Sequence, residues 1–153
     1  QPNSFRVART VSVQAPPEKI FPLLNDLHAQ NTWSPWDKKD PGMKRVYSGA
    51  AKGKGAIYEW DGNKDIGQGR LEITEVVPPT KVVMKLDFIS PMEGHNVAEF
   101  NLESKAGVTD VTWSIAGPMP FVSKVFTLFC NMDKMIGKEF EAGLSDLKAL
   151  AEK

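Results

Sequence analysis

The C-terminal part of the chain carries its longest amphipathic run, and that run constrains everything before it. Val122, Phe126, Phe129, Met132, Ile136, Phe140, Gly143, Leu144, Leu147 and Ala151 recur at steps of three and four, the spacing that lines one face of an α-helix. The pattern predicts a helix over residues 121 to about 151, roughly 45 Å long at 1.5 Å per residue. Such a stripe must be covered by another apolar surface. Gly137 and Gly143 lie on or beside it. Each costs a helix about 1 kcal/mol relative to alanine, so each either admits a close neighbour or leaves space.

The cover is written upstream as strands. Phe5, Val7, Val11 and Val13 alternate with polar or small residues over 5–14, the period of a half-buried strand. Ala15-Pro16-Pro17-Glu18 breaks it, and proline suits the first turn of a helix beginning near Pro17. Ile20, Phe21, Leu23, Leu24 and Leu27 form that helix's apolar face, and residues 25–30 continue it or form a second short helix. Trp33-Ser34-Pro35-Trp36 is expected to end it, because a residue before proline avoids the α region. Strand-like runs follow at 44–49, 55–61, 69–77, 82–88, 97–103 and 110–115, with a turn signal at Asp61-Gly62-Asn63 and a stop at Pro78-Pro79. Clean alternation marks antiparallel strands with one face wet.

The expected fold class is therefore α+β. A curved antiparallel sheet of about six to seven strands wraps a long C-terminal helix, with two short helices after strand 1. At 153 residues the chain fits a single domain, 1–153. A bent sheet cannot touch a straight helix along its whole length, and the gap between them is where a cavity would form.

Phase assigns the residues facing that gap. Trp113 and Phe100 share the inward phase of their strands, as do Met84 and Phe88. Tyr58 and Trp60 share one phase, with Ile57 and Glu59 on the other, and the inward assignment goes to the first pair. Phe126, Phe129, Met132, Ile136 and Phe140 face them from the helix. Ligand pockets are largely apolar with a few placed polar groups, and Tyr58 and Trp60 offer a hydroxyl and an indole N–H. The same residues equally describe a packed core, since burying each stabilises by roughly 1.5–3 kcal/mol. Arg9 interrupts the apolar phase of its strand. An inward arginine needs a partner, which could be a ligand carboxylate; alternatively Arg9 sits at the rim with its head in water.

These residues carry a family resemblance. Ala15-Pro16-Pro17-Glu18-Lys19-Ile20-Phe21, Asn25-Asp26-Leu27 with Trp33-Ser34-Pro35-Trp36, Gly53-Lys-Gly55 with Tyr58-Glu59-Trp60, Gly67-Gln-Gly69 with Ile73-Thr74-Glu75, Leu86-Asp87-Phe88 with Pro91, Val111-Thr112-Trp113 with Gly117, and Gly137-Lys138, Phe140, Gly143-Leu144 occur in that order. Together they resemble the polyketide cyclase/dehydrase and lipid-transport family of the START/Bet v 1-like (SRPBCC) superfamily, over nearly the whole chain. The resemblance implies a helix-grip domain with an internal hydrophobic cavity. It does not imply one activity, because one fold hosts many functions. Members resembling this chain often carry a membrane segment ahead of the first strand, so an upstream tether to an otherwise soluble domain is an expectation.

Several functions lose support. Lys plus Arg and Asp plus Glu each number 19, for a formal net charge of +0, so no basic excess points to nucleic acid. Cys130 is the only cysteine, which excludes an internal disulfide and a cysteine-built zinc site. Its neighbours Phe129, Asn131 and Met132 offer no base to activate it. His28 and His95 lack the spacing of a helical metal site, so no metal or cofactor is expected. Gly53-Lys-Gly55 and Gly67-Gln-Gly69 read as bulges or turns at strand ends. No catalytic set is recognisable.

The leading expectation is thus the binding or carrying of a small hydrophobic ligand, lipid-like or aromatic. A cyclase-type enzyme is the alternative, with Tyr58, Glu59, Arg9 and His95 as its candidate ionisable groups. A third reading is a membrane- or partner-interaction module, in which Trp33, Trp36 and Met119-Pro120-Phe121 form an exposed patch rather than a lid.

Overall fold

A computed structural model describes residues 4–63, 66–90, 94–118 and 125–153; for 90 and 125–132 it describes the backbone alone. Seven strands form a single antiparallel sheet: β1 (Ser4–Val13), β2 (Lys44–Gly49), β3 (Ala56–Asp61), β4 (Gln68–Val77), β5 (Lys81–Ser90), β6 (Gly94–Lys105) and β7 (Val108–Pro118). Their order is β1-β7-β6-β5-β4-β3-β2. Six strands run as sequential neighbours, and β1 closes against β7. The long helix α4 (Val125–Ala151) packs beside β1. The helix-grip architecture is as expected from the order of elements.

The β1–β2 connection is richer than expected. It forms α1 (Pro17–Ile20), a 3-10 turn (Phe21–Leu23), α2 (Leu27–Gln30) and α3 (Pro35–Lys39). Trp33-Ser34-Pro35-Trp36 does not simply end a helix. Ser34 is extended, at ψ 131°, and Pro35 opens α3 as its first residue. The rule that proline repels α geometry from the residue before it holds at Ser34, while proline's fixed φ favours a new helix after it. Asp26 caps α2, its carboxylate accepting from the backbone N–H of His28 and Ala29.

The two helix glycines are explained by side chains that lie against them. A methyl at Gly143 would stand 2.9 Å from Pro35 Cδ and 3.0 Å from Trp113, so its absence lets α3 and the sheet approach α4. Ion pairs of Lys38 with Asp146 and Lys39 with Glu139 flank that contact. At Gly137 a methyl would fall 2.1 Å from Arg9 Nη2. Arg9 points to the helix side of the sheet, as its phase indicates, and its partners belong to α4. Its guanidinium donates to Asp133 Oδ2 at 3.2 Å and Glu141 Oε2 at 2.9 Å. Both carboxylates raise its pKa further.

The inner face of the sheet is best read as rows across the strands. One row is Val7, Ile115, Ala98, Met84 and Ile73; the next is Arg9, Trp113, Phe100 and Val82. Every apolar member of these two rows is buried. They are roofed by Trp33, Leu144, Leu147 and Phe140, all nearly inaccessible. Trp113 stacks on Phe140 with centroids 4.0 Å apart and on Phe100 at 5.2 Å. Trp33 meets Phe100 and Trp113 edge-on, and Trp36 does the same to Trp113 and Phe140. Trp33 is 1% exposed and donates its indole N–H to Leu23 O at 3.0 Å. Trp33 and Trp36 therefore form no exposed patch; they belong to an aromatic stack that fills this half of the interior. Met119, Pro120 and Phe121 lie outside the described residues.

Candidate functional site

The other half of the inner face is different. Its first row is Phe5, Gly117, Asn96, Leu86, Leu71, Tyr58 and Tyr47. Its second is Gly94, Phe88, Gly69, Trp60 and Arg45. Leu71 and Leu86 stand on central strands and point to the concave side, yet both are only half-buried. So are Tyr47, Trp60, Phe88, Asn96 and, from α4, Ile136. Apolar residues at the centre of a gripped sheet are normally closed off by the opposing helix. Here they stay accessible, and the concave face divides into a packed half and an open half.

Two glycines shape the open half. Gly69 sits between Trp60 and Phe88 in its row. A methyl there would lie 2.3 Å from the Trp60 ring, so the indole takes the space that a side chain would fill, and it meets Phe88 edge-on at 6.1 Å. Gly67, at φ +69°, supplies the turn that brings β4 alongside β3. The Gly67-Gln-Gly69 motif thus combines a turn with a seat for an aromatic ring, and the register shifts beside it, between Gln68 and Gly69. Across the sheet, the Asn96 amide occupies the space above Gly117.

A polar cluster borders this half where α3 meets β2 and β3. Arg45 donates through Nε to Asp37 Oδ1 at 2.7 Å and through Nη1 to Pro41 O and Met43 O, each at 3.1 Å. Burial raises the Asp37 carboxyl above its ordinary range, with Arg45 opposing. Tyr47 accepts from the Asn31 amide and stacks with His28 at 3.6 Å. Tyr58 lies between Tyr47, tilted against it at 5.0 Å, and Trp60, stacked at 5.8 Å. It is 5% exposed, and its hydroxyl is a buried polar atom with no hydrogen-bond partner among the described residues. Burial, followed by the charge of Asp37, pushes its pKa far above the usual phenol value, with the neighbouring Arg45 guanidinium opposing.

The residues singled out by phase distribute as follows. Tyr58, Trp60 and Phe88 meet in the rows of the open half, and Ile136 is half-buried on α4. Met84, Phe100, Trp113 and Phe140 are buried in the packed half, where Trp113 stacks on Phe100 and Phe140. Arg9 is bound to α4 through Asp133 and Glu141, so its charge already has protein partners. The side chains of Phe126, Phe129 and Met132 lie outside the described residues. The four ionisable candidates are not brought together: Glu59 and His95 point to the outer face, where His95 pairs with Asp87 at 2.8 Å. Sequence reasoning missed Leu71 and Leu86, although both share the inward phase of Ile73 and Met84. It also missed Asp37 and Arg45, whose pairing no spacing announces.

Two clefts adjoin these rows. One, about 200 Å³, lies between α2 and the β2–β3 hairpin, lined by Leu27, His28, Tyr47 and small residues of the turn. The other, about 420 Å³, lies at the end of β5, lined by Arg70, Asp87, Phe88, Ile89 and His95. Among the described residues no three His, Cys, Asp or Glu side chains converge as metal ligands. No helix among them is long and apolar enough to cross a membrane.

Comparison with known proteins agrees with this architecture. A protein from Chromobacterium violaceum superposes with a TM-score of 0.67 at 18% identity, covering 100% of this chain and 99% of that one. The di-domain aromatase/cyclase StfQ of the steffimycin biosynthetic pathway gives 0.74 at 11% identity, over 99% of this chain and 52% of its own. Ara h 8.0201 gives 0.60 at 10% identity, over 97% of each chain. At these identities the likeness is one of fold. No curated protein matches in sequence. The family model described as polyketide cyclase/dehydrase and lipid transport matches residues 4–152, and the chain belongs to that family.

Proposed function

We propose that this domain binds a small, largely apolar molecule in the open half of its concave face. The observation that carries the reading is the accessibility of Leu71, Leu86, Trp60 and Phe88, on central strands and facing inward. Leaving apolar surface in reach of water forgoes roughly 25 cal/mol per Å². The packed half shows that this sequence can close its core when nothing is to be admitted. Wide apolar walls with a few placed polar groups are the usual make-up of a small-molecule site. The family description, which names both cyclase/dehydrase and lipid transport, accords with such a ligand.

Binding is favoured over turnover. General acid–base chemistry needs a donor and an acceptor free to act on the substrate. Arg45, in the second row of the open half, is paired with Asp37.

Titration with an uncharged, environment-sensitive naphthalene dye tests the reading. The expected result is saturable emission enhancement at one dye per chain, abolished by Leu71→Trp, which fills the open half. No saturable binding, or binding that Leu71→Trp leaves intact, would sink the proposal.

A further inference from the structure

We infer that the Asn96 side-chain amide is the polar anchor of the open half, and that it engages a hydroxyl group on an otherwise apolar ligand. This rests on the reading that the open half holds an apolar molecule.

Asn96 stands where the strand period calls for an apolar residue. It shares the inward phase of Ala98, Phe100 and Leu102 on β6, all buried, and asparagine is depleted in strands. Its neighbours on that face give the amide nothing to bond. Leu86 is its cross-strand partner on β5, and Gly94 and Ala98 flank it along β6. On the β7 side lies Gly117, where a methyl would fall 2.0 Å from Asn96 Oδ1 and 2.9 Å from its Cγ. A methyl at Gly94 would lie 3.8 Å from Asn96 Nδ2 and 3.9 Å from Phe88 Cδ2. Two glycines thus make room for the amide, its oxygen end seated on Gly117 and its nitrogen end turned toward Gly94 and Phe88.

No protein group uses this amide. Among the described residues the Asn96 side chain makes no hydrogen bond. The Tyr58 hydroxyl is the one side-chain polar atom among them that is both buried and unpartnered. Asn96 is half-buried, so both polar atoms of its amide are in reach of solvent on the concave side. A residue that breaks the local pattern without a compensating contact is characteristic of a functional site. A ligand entering the open half displaces the water at Asn96, and a pure hydrocarbon would leave the amide unbonded, which is costly. The amide offers a donor and an acceptor, and a hydroxyl offers both in return.

The experiment is calorimetric titration of the whole chain, wild type and Asn96→Leu, with two probes of one shape, a naphthalenemethanol and the matching ethylnaphthalene. Leucine keeps the branched shape of asparagine and removes its polar atoms. The affinity ratio of the two probes cancels the contribution of the ring, and the change in that ratio between the two proteins isolates the pairing of hydroxyl and amide. The ratio is expected to shift against the alcohol by about fivefold in Asn96→Leu, the worth of one net hydrogen bond, with the ethyl compound bound at least as tightly as by wild type. A ratio unchanged to within about twofold would overturn the inference and leave the binding site standing. A measurement on wild type alone is independent of how the variant folds. The Asn96 side-chain amide protons should resonate further downfield in NMR spectra with the alcohol bound than with the ethyl compound bound, and coincident positions would also overturn the inference. Failure of both probes to bind, or binding indifferent to Leu71→Trp, overturns the site and its anchor together.

Discussion

Tyr58→Phe should make the unliganded protein more stable, the reverse of what most core substitutions do. The change removes one oxygen and leaves the ring, so its stacking on Tyr47 and Trp60 persists. The oxygen it removes is buried and has no partner among the described residues. An unsatisfied buried polar group costs about 1–3 kcal/mol, and taking the lower end allows for slight local relaxation. Stabilisation of about 1 kcal/mol is therefore expected. With a urea dependence of about 2 kcal/mol per molar, the midpoint would rise by about 0.5 M. The melting temperature would rise by about 2–4 °C for a chain of this length. Tryptophan fluorescence reports the transition, since Trp33 and Trp113 lie in the packed half. A loss of more than about 0.5 kcal/mol, with an unchanged urea slope, would show that the hydroxyl is bonded in the native state. Arg45, close enough to lower the phenol's pKa, would be the first partner to examine.

Gly69→Ala should destabilise by about 2–3 kcal/mol through overpacking, because the added methyl meets the Trp60 ring at 2.3 Å and Asp87 O at 2.8 Å; a urea midpoint within error of wild type would refute that account of the motif. Arg9→Ala should cost about 1 kcal/mol, since its pairs with Asp133 and Glu141 are partly exposed, and raised salt should shrink the difference; a salt-independent loss would point to packing instead. Asp37 supplies a test in pH. Its folded-state pKa is raised, so the native state holds the proton more tightly than the unfolded chain. Its contribution is largest below the ordinary aspartate range and diminishes as pH rises through the native value. The stability of wild type relative to Asp37→Asn should accordingly fall between acid and neutral pH, and a difference that rises over that window would refute the assignment.

Much of this protein is legible in one dimension. Alternation places Tyr58 and Trp60, Phe100 and Trp113 on the inner face because the strand period is two and admits no third option. The stripe from Ile136 to Ala151 marks the gripped face of α4 because helix geometry repeats every three to four residues. Periodicity reports which face a residue occupies, however, not what stands opposite. Trp113 and Trp60 have the same inward phase, yet one is stacked on Phe140 and the other remains half open. That difference arises from where α3 and α4 come to rest, through Gly143 against Pro35 and Arg9 across Gly137, contacts between residues far apart in the chain. Pairing of Arg45 with Asp37 likewise depends on α3 folding back over β2. The Tyr58 hydroxyl is left buried with no well-formed hydrogen bond among the described residues, and only the tertiary arrangement could decide that, because an unsatisfied group is defined by what its neighbours have already bound.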